Sequence, residues 1–139
     1  MSEAPSATPP LHSPLVVESP GADVVLDVTG LRTHFATDDG VLPAVDGVTF
    51  SIRRGRILAL VGESGCGKSV TSLSILRLIQ KPGKIIGGKI LLRSARSGEI
   101  DITALGENSR QLCLVRSGLV SMIFQEQMAA LSPVHTIGD

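Results

Sequence analysis

Eight consecutive residues, Gly62-Glu63-Ser64-Gly65-Cys66-Gly67-Lys68-Ser69, place three glycines, a lysine and a hydroxyl at the spacing G-x-x-x-x-G-K-[ST]. These residue types suit a polyphosphate. Glycines let the backbone turn through positive φ and approach an anion, and Gly62, Gly65 and Gly67 are expected to do so. Successive N–H groups can then point inward at phosphate oxygens. Lys68 supplies a charge able to reach the β and γ phosphates, and the Ser69 hydroxyl supplies a ligand for Mg²⁺. The candidate ligand-binding residues are therefore Gly62, Glu63, Ser64, Gly65, Cys66, Gly67, Lys68, Ser69 and, in the helix that follows, Val70.

Such a loop needs a strand before it and a helix after it. Ile57-Leu58-Ala59-Leu60-Val61 is a continuous apolar run, which predicts a parallel strand buried on both faces. From Ser69 to Gln80, Val70, Leu73, Leu76 and Ile79 recur every third residue, with Ile75 and Leu78 widening the stripe, so the spacing predicts a helix packed on a sheet. A helix opening at the end of the loop adds unsatisfied amides and a partial positive charge, both favourable to phosphate.

The 139 residues suffice for one domain. Thirteen basic and thirteen acidic side chains give no net charge, and the aromatics are three Phe alone, so nucleic acid is not an expected partner. Cys66 and Cys113 have no metal-site spacing, which points to reduced thiols. His12, His34 and His135 are scattered, and each reads as solvated surface. No apolar run approaches the roughly 20 residues that cross a bilayer, so no direct membrane insertion is expected.

Residues 1–21, rich in Pro, Ser and Ala, read as a disordered tail without the features of a signal peptide, and residues 22–139 as the folded part. Val24, Leu26 and Val28 alternate, predicting a strand that runs past Gly30 toward Phe35, with a turn at Thr37-Asp38-Asp39-Gly40. Asp27 falls inside that strand. A second strand is expected over Val45 to Ile52, a tight turn at Arg53-Arg54-Gly55, and a helix break at Lys81-Pro82-Gly83. Further expectations are a strand from Lys89 to Leu92, a loop from Ser94 to Gly98, a short helix over Glu107 to Arg116, and a buried strand over Leu119 to Phe124. Gln125 ends that last strand, where ligands of open α/β sheets sit.

Read from these residues alone, the chain binds a nucleotide, and a non-hydrolytic binding or interaction module and an unrelated P-loop NTPase stay open. A GTPase would need an N-K-x-D base-recognition motif, which the chain lacks, and a small kinase would need more basic residues. Several stretches resemble the ATP-binding subunits of ABC transporters, most closely those of bacterial dipeptide and oligopeptide importers. They are LRTHFATDDGVLPAVDGVTFSIRRGRILALVGESGCGKSVTSLSILRLI, the IIGGKI strand and SMIFQEQMAALSPVHTIG, from about Val24 to Gly138. Gln127 stands where such importers commonly have proline, and Ser132 where they have asparagine.

The resemblance implies an α/β P-loop NTPase fold, with an antiparallel β subdomain packed on the start of a RecA-like core. It implies ATP and Mg²⁺ as cofactors, Phe35 as the aromatic that stacks on adenine, and Gln125 as the Q-loop glutamine. Lys68 and Gln125 are then the candidate catalytic residues, and Ser69 and Gln125 the candidate metal ligands. Implied partners are transmembrane permease subunits and a second ATPase subunit, with the chain peripheral on the cytoplasmic face of the membrane. The chain reaches Asp139 before the LSGGQ signature, Walker B carboxylates and switch histidine of that family. A front half without hydrolysis of its own is the expectation.

Overall fold

The computed structural model describes residues 23–124. Its frame is one antiparallel sheet of four strands: β1 (Val24–Thr37), β2 (Gly40–Arg53), β3 (Gly83–Ser94) and β4 (Gly98–Asp101), in the order β2-β1-β3-β4. Strands β1 and β2 form a hairpin from Val24↔Arg53 to Thr37↔Gly40. On its other side β1 pairs with β3 from Leu26↔Leu92 to Phe35↔Gly83, so β1 is bonded on both edges. The helical pieces are α1 (Lys68–Ile75), a 3₁₀ turn (Ile102–Ala104), and α2 (Arg110–Leu114), which runs into a π turn over Val115–Leu119.

The core lies on one face of this sheet. Val28, Leu31, Ile90, Ile102, Leu112 and Val115 are fully buried there. Each such side chain stabilises the fold by about 1.5–3 kcal/mol. Along β1 the inward residues are Val24, Leu26 and Val28, then Leu31 and Thr33. The change from even to odd positions comes from a bulge at Gly30, where two residues of β1 face one on each neighbouring strand. Gly30 has φ +58° and donates its N–H to Thr49 Oγ1 at 2.8 Å. Opposite it sits Gly88, where any Cβ would strike the backbone of Gly30 and Leu31. Without this bulge, alternation would turn Thr33 and Phe35 to the other face.

The antiparallel sheet and its first hairpin match the sequence reading, except that β2 begins at Gly40 rather than Val45, and Asp27 is buried within β1. Several expectations do not hold. Residues 57–61 form no strand: they are unpaired among the described residues, and Ile57 and Val61 are 98% and 90% exposed. A strand needs a hydrogen-bonding neighbour, and all strand pairing among the described residues is antiparallel and excludes this segment. For the same reason residues 120–124 form no strand, while Leu119 closes the π turn. The expected helix over Ser69 to Gln80 stops at Ile75, because Arg77 takes φ +55°.

Strand β3 starts at Gly83, six residues before the expected Lys89, and carries Gly87 and Gly88 through its bulge. The segment after Gly98, unassigned in the sequence reading, forms β4. The helix expected over Glu107 to Arg116 is confined to Arg110–Leu114 before it widens into the π turn. His34 is not solvated surface: it lies half-buried in the doubly paired β1, with Nε2 buried and without a hydrogen-bond partner among the described residues. The expected tail, Gln125 and the end of the third matching stretch lie outside the described residues, as do His12 and His135.

Candidate nucleotide site

The glycine loop spans the gap between the unpaired segment 56–61 and α1. Gly65 and Gly67 have φ of +82° and +88°, as a loop closing around an anion requires. Gly62 does not, contrary to expectation. Its lack of a side chain is used otherwise, because a Cβ there would collide with Cys66 Sγ. Gly67 is the N-cap of α1 and is pressed so close to β2 that a Cβ would meet the Ala44 carbonyl oxygen. Ala44 sits at the register shift between Thr33↔Val45 and His34↔Pro43, and this bulge aims the close approach.

Lys68 folds back across the loop it follows. Its Nζ donates to the Gly62 carbonyl at 2.8 Å, to the Glu63 carbonyl, and to Cys66 Sγ at 3.3 Å. The ammonium thus stands at the centre of the loop with its three protons on neutral acceptors. Helix α1 begins without a side-chain cap, and its first intrahelical bond is Thr71 N–H to the Gly67 carbonyl at 2.8 Å. The N–H groups of Lys68, Ser69 and Val70 therefore stay available to an anion at the helix start. Ser69 is exposed beside them, whereas Val70 packs against the core and anchors the first turn. Glu63, Ser64 and Cys66 are exposed on the rim.

This donor set fits a polyphosphate with a hard cation. Among the described residues no group of three or more His, Cys, Asp or Glu could hold a metal. The Ser69 hydroxyl is the side-chain oxygen here that would hold Mg²⁺, an ion that prefers oxygen donors and would supply positive charge beside the phosphates.

Phe35 lies at the far end of β1, paired with Gly83 on β3 and Leu42 on β2. Its half-buried ring covers Gly83, where a Cβ would strike both the ring and Ile79. By strand alternation Phe35 shares the face of Thr33, on which α1 rests. The structure thus joins residues 62–70 in one loop and helix start and puts Phe35 on the sheet face that supports α1. Gln125 is not among the described residues.

Other supporting residues escaped the sequence reading. The buried face of α1 holds Thr71 and Ser74 as well as apolar residues. Ser74 meets Thr33 of β1, with Oγ1···Oγ at 2.8 Å. At the helix end, Arg116 donates from Nε to the Leu76 carbonyl at 2.9 Å and from Nη2 to the Arg77 carbonyl at 2.6 Å. Arg77 Nη1 in turn reaches the carbonyls of Ile102, Thr103 and Leu105, with the last at 2.8 Å. None of these pairs has a local sequence signal.

The family profile described as ABC transporter matches residues 45–139, from β2 through the glycine loop and onward. The chain belongs to the ABC transporter family. Among similar proteins, a probable peptide ABC transporter ATP-binding protein of Sinorhizobium fredii is 46% identical over 121 residues, 86% of this chain and 34% of that protein. An oligopeptide transport ATP-binding protein of Bacillus subtilis is 49% identical over 115 residues, 83% of this chain and 33% of that protein. A glutathione import ATP-binding protein of Escherichia coli is 42% identical over 115 residues, 83% of this chain and 18% of that protein. This ABC transporter chain spans about a third of the length of the first two. No helix among the described residues is long and apolar enough to cross a membrane.

Proposed function

We propose that the chain is the Mg²⁺·ATP-binding part of the ATP-binding subunit of a peptide importer. The observation that carries this reading is Lys68, held by carbonyls at the centre of a glycine loop that opens an uncapped helix. Lys68 would exchange those carbonyls for β and γ phosphate oxygens, while the N–H groups of the first turn of α1 hold the same chain of phosphates. Ser69 would ligate Mg²⁺, whose chemistry when bound is to neutralise charge on the transferring phosphoryl group. Phe35 would offer a flat apolar surface to adenine, and Gln125 would help to place Mg²⁺ and the attacking water. ATP hydrolysis fits the family, and the names of the relatives support di- and oligopeptides as cargo. Transmembrane permease subunits and a second ATP-binding subunit are then the partners, with this subunit peripheral on the cytoplasmic face.

Thermal unfolding with and without Mg²⁺·ATP tests the central claim. Ligand at a hundred times its dissociation constant should stabilise the parent chain by about 2.7 kcal/mol, and Lys68→Ala should lose most of that. Equal stabilisation of variant and parent would refute the site.

A further inference from the structure

We infer that Thr33 is a positioning residue for the nucleotide: its hydrogen bond to Ser74 fixes the distance between the surface for the base and the loop for the phosphates. The inference rests on the reading of residues 62–69 as a phosphate site and of Phe35 as a base platform.

Thr33 and Ser74 are both fully buried, 41 residues apart in sequence, and joined at 2.8 Å. The direction of the bond follows from proton count. Ser74 Oγ donates its single proton to the Val70 carbonyl at 2.7 Å, so Thr33 Oγ1 donates to Ser74. Each oxygen is thereby satisfied in a place without water, where a lost partner is costly. Two hydroxyls at this contact are a chemical choice, since two aliphatic side chains of similar size would fill the same space.

What the pair connects is specific. Thr33 stands two residues before Phe35 on a strand bonded along both edges, so the two side chains leave one stiff segment on one face. Ser74 belongs to the eight-residue α1, whose first residue is Lys68. The end of the loop travels with this helix, because Gly67 is the N-cap of α1 and its carbonyl accepts the first intrahelical bond, from the Thr71 N–H at 2.8 Å. Gly67 against Ala44 and Arg116 against the last carbonyls hold the two ends of α1, to β2 and to the π turn. Among the described residues, the Thr33–Ser74 bond is the side-chain hydrogen bond from α1 to the strand that carries Phe35.

Loss of this bond would let α1 shift on β1 while the phosphate loop keeps its internal shape. A ligand that touches only the loop would not sense the shift. A ligand that spans loop and Phe35 would. The experiment therefore compares Mg²⁺·ATP with Mg²⁺·tripolyphosphate, which has no base, on the parent chain and on Thr33→Val, Thr33→Ser, Ser74→Ala and Phe35→Ala. Thr33→Val and Ser74→Ala should weaken ATP by about three- to tenfold, the range of one net hydrogen bond, and leave tripolyphosphate unchanged. Thr33→Ser keeps the donor and should bind both ligands as the parent does. Ile100→Val, a core change away from the site, controls for lowered stability and should alter neither affinity.

Unchanged ATP binding in Thr33→Val and Ser74→Ala overturns the inference. So does an equal loss of both ligands, which marks a merely structural bond. Should Thr33→Val fail to fold, Ser74→Ala carries the same comparison. Failure of the underlying reading looks different: the parent would bind neither ligand, or Phe35→Ala would bind ATP as the parent does, and either result removes the inference with it.

Discussion

Gly65 and Gly67 occupy nearly the same backbone region, yet they are not equivalent. A side chain at Gly65 meets open space, so Gly65→Ala bears only the strain of positive φ, about 1–2 kcal/mol. At Gly67 the same strain is joined by a collision with the Ala44 carbonyl, which must move β2 or the helix start. Gly67→Ala is expected to cost about 1–3 kcal/mol more than Gly65→Ala in urea unfolding. Equal midpoints would show that the approach to Ala44 is not constrained. The loop itself was legible in the sequence because its chemistry is local: its glycines, lysine and hydroxyl lie within eight positions of one another, whereas Ala44, which meets Gly67 from β2, left no local sign. Thr33, Ser74, Arg77 and Arg116 were not, since each acts on a partner 25 or more residues away, and a lone hydroxyl or guanidinium carries no mark of its partner.

Among the elements, α1 shows why a periodic stripe overestimates a helix. Val70, Leu73, Leu76 and Ile79 keep helical spacing, but spacing says nothing about where the chain turns away. The turn comes at Arg77, whose guanidinium is drawn to three carbonyls around the 3₁₀ turn, while Arg116 satisfies the carbonyls left at the helix end. The strands were legible where alternation held and obscure where glycines bent it. Gly87 and Gly88 look like punctuation before a strand and are instead part of a bulge inside one. Removal of the Arg116 clamp should loosen one end of α1. Arg116→Ala is expected to lower stability by about 1–3 kcal/mol, since it deletes two part-buried bonds from a charged donor. Arg116→Lys should recover little, because an ammonium lacks the fork that reaches both carbonyls. Hydrogen exchange at the Arg77 and Leu78 amides, which bond back to Ser74 and Leu73, reads the effect directly. Unchanged protection there would argue against the clamp.

At the scale of the molecule, the sheet is closed on its core face while the approach to the phosphate loop is not. Apolar runs 57–61 and 119–124 read as buried strands because Ile, Leu and Val in sequence signal burial, but a run of side chains does not provide the neighbouring backbone that makes a strand. Ile57, Val61 and Ile123 consequently face solvent. The segment 56–61 is open and, among the described residues, free of backbone bonding beyond the turn from Arg56 N–H to the Arg53 carbonyl at 3.1 Å. This is the form in which peptide chains enter a protease cleft, and it begins beside basic side chains that trypsin selects. Lys84, Lys89 and Arg93, by contrast, are held within the paired β3. In a brief digestion at low trypsin ratio, the first cut should fall after Arg54 or Arg56, as mass spectrometry of the early fragments will show, and a first cut within β3 would contradict the order of exposure. A single scission there severs the hairpin carrying Phe35 from the loop carrying Lys68, leaving the two ends of the proposed ligand site on separate peptides, joined by the pairing of β1 with β3 and by the packing of α1 on the sheet.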